Sequence, residues 1–192
     1  MELVVEDELS EAVLKKTIWA CAPTVQIGTT RITSGYGQIK KNLKAFNSLA
    51  RIRPVVILTD QDVAECAPAL IHDWFANITI EPGLKFRVAT REVESWVMAD
   101  RAQFAGFLGI HTNLVPAYPD QLDDPKKTLL QLAAGASSRL RKALLPTGRT
   151  ATIGPGYNDV LSEFVLATWN PTRAEANSDS LARAIAAIKH IR

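Results

Sequence analysis

The chain has 192 residues, 47% of them hydrophobic, enough for one good-sized core with room for a small appendage. Charged residues make up 22% and the net charge is only +2, which excludes a protein basic in bulk; any attraction for phosphate has to come from local patches. Two cysteines make no disulfide framework, the scattered His72, His111 and His190 speak against zinc and a histidine triad, and no apolar run approaches the ~18 residues of a membrane span. Cys21 and Cys66 both stand among apolar residues, so they read as small buried residues in a reducing cytoplasm, where the lack of a basic leader also places the chain.

Residues 2–6 (ELVVE) form a short apolar run ending in an acid. Residues 7–21 follow as a helix, with Asp7 as N-cap and Leu9, Val13 and Trp19 on one face. A second strand is expected within residues 24–32, a turn at 34–37, and a helix over 38–51 with Ile39, Leu43, Phe46 and Ala50 inward and Lys40, Lys41 and Lys44 outward. Residues 54–59 (PVVILT) are continuously apolar, as a parallel strand buried on both faces must be, and run into Asp60-Gln61-Asp62. A helix at 68–76, an alternating strand at 84–89 and a helix at 92–100 complete βαβ units around a mostly parallel sheet. Helices at 103–108, 126–134, 138–145, 158–169 and 180–191 follow, the last striped by Leu181, Ile185 and Ile188. The expectation is a Rossmann-type α/β core over residues 1–100 and a helical extension over 101–192 packed on it.

Ligands of open parallel sheets sit beyond the carboxyl ends of the strands. Glu6 ends the first strand, and Asp60 and Asp62 end the most buried one, so three carboxylates are expected at one sheet edge. Such a cluster repels itself unless a cation compensates it, and all-oxygen ligation suits Mg²⁺ or Mn²⁺. The plainer alternative for each acid is helix capping, Asp62 for a helix beginning near Ala64.

Val5-Glu6 after a first strand and Thr59-Asp60-Gln61-Asp62 after a strongly apolar one resemble the Toprim domain of topoisomerases, primases and nucleases of the OLD (overcoming lysogenisation defect) group. The run from Glu6 through Ser10-Glu11 and the Glu94-Ser95-Trp96 segment are similar to motifs of small stand-alone Toprim-like proteins linked to bacterial phage defence. Two details depart from that pattern: Asp7 stands where glycine usually follows the first Glu, and Glu11 comes one residue late. The resemblance implies metal-dependent phosphodiester chemistry, with Glu6, Asp60, Asp62 and Glu94 as metal ligands and catalytic groups and Glu11 and Glu92 as secondary acids. It also implies a separate ATPase partner, since no Gly-Lys-Ser/Thr phosphate loop accompanies Gly35, Gly37, Gly154 or Gly156.

A nuclease needs cations for the nucleic-acid backbone. Lys40, Lys41, Lys44, Arg87 and Arg91 are the phosphate-binding candidates, and Lys126, in Asp124-Pro125-Lys126, is the candidate for a catalytic contact. Each also reads as an ordinary solvated residue, and Trp96 and Trp169 read as core. Tyr36, Tyr118 and Tyr157 have no context for transesterification, so hydrolysis is favoured over strand passage. The leading expectation is an Mg²⁺-dependent nuclease acting on DNA or RNA. The alternatives are a non-catalytic interaction subunit of the same fold, and an Mg²⁺-dependent phosphatase or phosphotransferase with Asp60 as covalent nucleophile.

Overall fold

The computed structural model describes residues 1–148 and 150–191. Four strands, β1 (Glu2–Val5), β2 (Thr30–Ile32), β3 (Val55–Asp60) and β4 (Leu84–Ala89), form one all-parallel sheet in the order β2-β1-β3-β4. The two central strands are the two continuously apolar runs of the sequence, because only they have both neighbours and both faces covered. Register places Val4 beside Ile57 and Asp60 beside Ala89.

Alternation along the strands divides the core in two. Val4, Val55, Ile57, Leu84, Phe86 and Val88 face α2 (Tyr36–Leu49) and α3 (Ala67–Phe75), where Trp74 and Phe75 meet Phe86 edge-on at 5.4 and 5.1 Å. Leu3, Val5, Val56, Leu58 and Ala89 face α1 (Glu8–Cys21) and the helices that follow the sheet. Those helices are α4 (Glu94–Ala99), α5 (Arg101–Leu108), α6 (Pro125–Ala133), α7 (Ser138–Leu144), α8 (Tyr157–Ala167), α9 (Pro171–Ala174) and α10 (Asp179–Lys189). Leu161 and Val165 of α8 and Leu181, Ile185 and Ile188 of α10 share one apolar cluster with Leu9, Val13 and Ile18 of α1. The helical second half therefore supplies the cover for one face of the sheet. Among the described residues, no helix is long and apolar enough to cross a membrane.

Several local expectations meet the structure directly. Asp7 caps α1 by accepting from Ser10 N at 2.8 Å, and Trp96 and Trp169 are fully buried, their indole N–H groups donating to Ser180 Oγ and the Trp96 carbonyl. Others are corrected. Trp19 is 52% exposed: at 100° per residue it lies about 120° from Val13, outside the buried arc, while Ile18, one turn after buried Leu14, takes the inward place. The second strand is limited to Thr30–Ile32, and the helix expected over 92–100 is α4 alone, with α5 restarting after Asp100. Asp100 accepts from Arg173 Nη2 at 2.7 Å and from Asn170 N at 2.9 Å, tying the α4–α5 junction to α9, an element too short to show in hydrophobic periodicity. Cys66 is exposed and Cys21 is half-buried. Asp62 caps no helix: α3 begins at Ala67 after Cys66, which offers no side-chain acceptor.

Gly154 and Gly156 belong to packing. Their N–H groups donate to the Leu144 and Ala143 carbonyls at 2.9 and 3.0 Å, and a Cβ at Gly154 would collide with the Ala143 carbonyl oxygen. This seam between α7 and α8 fixes where α8 starts, and so fixes Tyr157. Gly154→Ala should therefore lower stability by about 1–3 kcal/mol in chemical denaturation; an unchanged midpoint would show that the seam yields at no cost.

Candidate functional site

Parallel strands deliver their carboxyl ends to a single edge, and the loops leaving β1, β3 and β4 meet there. Glu6 leaves β1 and is clamped to the end of β3: its Oε1 accepts from the Thr59 hydroxyl and from Asp60 N at 3.0 Å. Asp60 in turn accepts from Val93 N through Oδ1 at 2.9 Å, which joins β3 to the start of α4. Glu94, the first residue of α4, is 2% exposed. Its Oε1 accepts from Tyr157 Oη at 2.8 Å and lies 3.5 Å from Lys126 Nζ, while its Oε2 is buried with no hydrogen-bond partner.

Lys126 arrives with α6, whose first turn is built by Asp124 as N-cap and Pro125 behind it. Glu92 faces that turn, accepting from Lys126 N at 2.8 Å and lying 3.3 Å from Lys126 Nζ. A carboxylate at a helix N-terminus and an ammonium between two carboxylates are both favourable.

Burial and mutual repulsion set the protonation states. Burial first, then Glu94, Glu6, Asp7 and Asp62, hold the Asp60 carboxyl well above the usual carboxylate range. Burial pushes Glu94 up to about 7 even though Lys126 and Tyr157 pull the other way. Glu6 is raised by burial against its hydrogen bonds from Thr59 and Asp60, and Asp62 by burial and Glu92. Burial acts to lower the Lys126 ammonium, but Glu94, Glu92 and Asp60 outweigh it, and Lys126 stays charged. Tyr157, buried against Glu94, is held firmly protonated.

The backbone beside these acids is strained. Asp62 and Arg91 both adopt positive φ, 48° and 58°, and brace each other: Asp62 N donates to Arg91 O at 2.9 Å and Arg91 Nη1 donates to Asp62 O at 3.2 Å. Asp62 itself is exposed, at the rim of a cleft of about 360 Å³ that reaches Asp60 and is walled by Tyr36, Lys40, Leu70 and Trp74.

No family model, curated protein or solved structure matches the chain. The residues themselves are therefore the whole basis for reading the site.

Glu6, Asp60, Glu92, Glu94 and Lys126 stand in one network of contacts and charge coupling, with Asp62 on its rim. Among the described residues no three carboxylate, histidine or cysteine side chains are arranged to hold a metal ion as they stand. Glu6 is taken up by Thr59 and Asp60 N, and Lys126 occupies the charge-balancing place of a cation. Glu11 lies outside the network, paired with Lys15 one turn along α1 at 2.7 Å. Lys40 pairs with Asp73 at 2.6 Å and lies over Trp74, while Lys41 and Lys44 are exposed on α2. Arg91 braces the loop, also donating to Ala64 O, and Arg87 lines a different cavity. Tyr157, set aside as a nucleophile in the sequence, is the group that holds Glu94. Its position just after Gly154-Pro155-Gly156 was the available signal, but the link across 63 residues could not be read.

Raising a buried carboxyl pKa makes the fold lose stability as pH climbs from the unfolded value through the folded one. Glu94 moves from 4.5 to about 7, so wild type gives up stability between those values. Glu94→Gln has no such loss and should gain about 2–3 kcal/mol on wild type between pH 5 and pH 8. Denaturation at both pH values checks this; a difference independent of pH would mean that Glu94 is ionised throughout.

Proposed function

We propose that this chain is an Mg²⁺- or Mn²⁺-dependent phosphodiesterase acting on nucleic acid, with Glu6, Asp60, Asp62 and Glu94 as the metal-binding acids. The observation that carries the reading is the buried, unpartnered Oε2 of Glu94 beside Asp60, whose carboxyl is raised by burial first and then by the neighbouring acids. The donors are all hard oxygens, which fits a hard divalent cation in kind. Bringing three of them to one ion requires side-chain rotation, of Glu6 away from Thr59 or of Glu94 away from Lys126. A bound cation would supply Lewis-acid polarisation of a phosphoryl oxygen and a more acidic water.

The protein's own groups supply the rest. Tyr157 and the α7–α8 seam hold Glu94 in place. Lys126, permanently charged on a preorganised helix start, is poised to exchange a carboxylate for a phosphate oxygen as negative charge develops. The cleft beside Asp60 offers the Tyr36 ring, 52% exposed and backed by the buried Trp74 ring 6.2 Å from it, as a surface for stacking a base next to the acids. A separate ATPase partner and a role in phage defence belong to the same proposal, through the resemblance to Toprim-type proteins.

One observation favours a second reading. Lys126 already neutralises Glu92 and Glu94, so the cluster is compatible with an interaction subunit that binds no metal. Asp60, engaged by Val93 N and with its carboxyl pushed well above the usual range by burial and neighbouring acids, suits a phosphoryl acceptor poorly.

Incubation with plasmid DNA, single-stranded DNA and RNA in Mg²⁺, Mn²⁺ or EDTA separates these readings. Cleavage should require metal, vanish in Asp60→Ala/Asp62→Ala, and fall about 10²–10³-fold in Lys126→Ala. Folded wild-type protein inert toward all three substrates in both metals would favour the interaction subunit.

A further inference from the structure

The acidic edge is not the chain's only unbalanced concentration of charge. β4 is an edge strand, paired with β3 alone, and Phe86 and Val88 turn toward α3. Arg87, between them, takes the opposite side of the strand, where α10 carries Arg183. A cavity of about 420 Å³ opens between α3, β4 and α10, lined among others by Pro68, Ile71, Phe86, Arg87, Ser180 and Arg183, and no Asp or Glu contributes to its wall.

Arg87 Nε is buried there without an acceptor, and neither arginine belongs to a salt bridge among the described residues. Burial, and then Arg183, pull the Arg87 guanidinium below its usual value, as expected for a partly buried cation sharing a cavity with another cation. Buried arginines are ordinarily matched by a carboxylate or phosphate, because an uncompensated buried charge is expensive. The acids nearby are otherwise engaged or outside the cavity. Glu65, Asp120 and Asp123 face a neighbouring cavity that shares Arg183, and both Asp120 oxygens already accept, from Ser178 Oγ and from Ser180 N at 2.8 Å each. The Ser180 hydroxyl accepts from Trp96 Nε1 at 2.6 Å and Thr90 N at 3.3 Å, leaving its proton for Ser178 Oγ, 3.4 Å away, or for the cavity.

We propose that this cavity is an anion site for a phosphate monoester, held by Arg87 and Arg183 with the Ser180 hydroxyl. Two guanidiniums and no carboxylate are balanced by a dianion, and a phosphate monoester carries about −1.5 to −2 at neutral pH, whereas a carboxylate or a backbone phosphodiester carries one charge. Pro68, Ile71 and Phe86 form an apolar wall for the organic part of the ligand. A terminal phosphate on a nucleic-acid strand and a free phosphorylated small molecule share this chemistry. The site uses none of the metal-binding acids and does not depend on the nuclease reading.

Calorimetric titration of the full chain in EDTA tests it, with inorganic phosphate, a nucleoside 5′-monophosphate, a 5′-phosphorylated tetranucleotide and the same tetranucleotide without its terminal phosphate. The monoesters should bind, and the unphosphorylated tetranucleotide should bind at least about tenfold more weakly. Arg183→Gln, an exposed change on α10, should weaken every monoester by about tenfold or more, and Asp60→Ala/Asp62→Ala should leave them unchanged. Arg87→Met should abolish binding while melting no lower than wild type without phosphate, since it removes a half-buried guanidinium whose Nε is buried without an acceptor. Tightest binding of the phosphorylated tetranucleotide identifies a strand end as the ligand; tightest binding of the mononucleotide identifies a free metabolite. Absence of monoester binding, equal affinity for the unphosphorylated strand, or indifference to Arg183→Gln would overturn the site.

Discussion

Glu94 lies beneath the carboxyl ends of the central strands with one oxygen on the Tyr157 hydroxyl and the other without a donor, 2% exposed and beside a second acid, Asp60. Ionising it there is opposed by burial, and much of the surrounding architecture answers that problem. α6 begins where it does so that Lys126 and its backbone N–H reach the acids. α8 begins where it does, seated by Gly154 and Gly156, so that Tyr157 reaches Glu94. The helical second half thus does two jobs at once: it covers the apolar face of the sheet made by Leu3, Val5, Val56 and Leu58, and it brings the counter-charge to the acidic edge.

The loops at that edge show the same tension in the backbone. Asp62 and Arg91 hold left-handed conformations that neither residue favours, each steadied by hydrogen bonds to the other's loop. Gln61, between Asp60 and Asp62, is buried and donates to the Ala64 and Glu65 carbonyls. Strain, buried carboxyls and an orphaned oxygen meet at this one place, and the proposal of a functional site rests on that coincidence.

Much of the fold was legible in the residues. The uninterrupted apolar runs ELVV and VVILTD could only be central parallel strands, and the acids that close them had to share an edge. Glu6, Asp60 and Asp62 follow from those strand ends, whereas Glu92 and Glu94 came only through the resemblance to Toprim-type proteins and Lys126 as one of several candidate cations. What stayed hidden depends on distance along the chain. Tyr157 meets Glu94 across 63 residues and Arg183 meets the Arg87 cavity across 96, and no periodicity carries such pairings. Short-range errors have short-range causes: Trp19 was placed inward by a loose count of helical turns, and α9, four residues long, lies below the length at which a repeat can show. Gly154, which belongs to no phosphate loop, stands where the α7 backbone leaves no room for a side chain, and Gly156 packs closely on the Ala143 side chain.

In the proposed function the acidic edge is a divalent-cation site held in reserve by Lys126. The most direct measurement is calorimetric titration of wild type with Mn²⁺ at pH 7 in two buffers of different ionisation enthalpy. Glu94, with a pKa of about 7, and Asp60, raised well above its ordinary value, must give up protons as the ion enters, so the apparent enthalpy should differ between buffers and show net proton release. A folded protein that takes up no Mn²⁺, or takes it up with no proton released, would contradict the account and leave Lys126 as the permanent cation of a structural cluster.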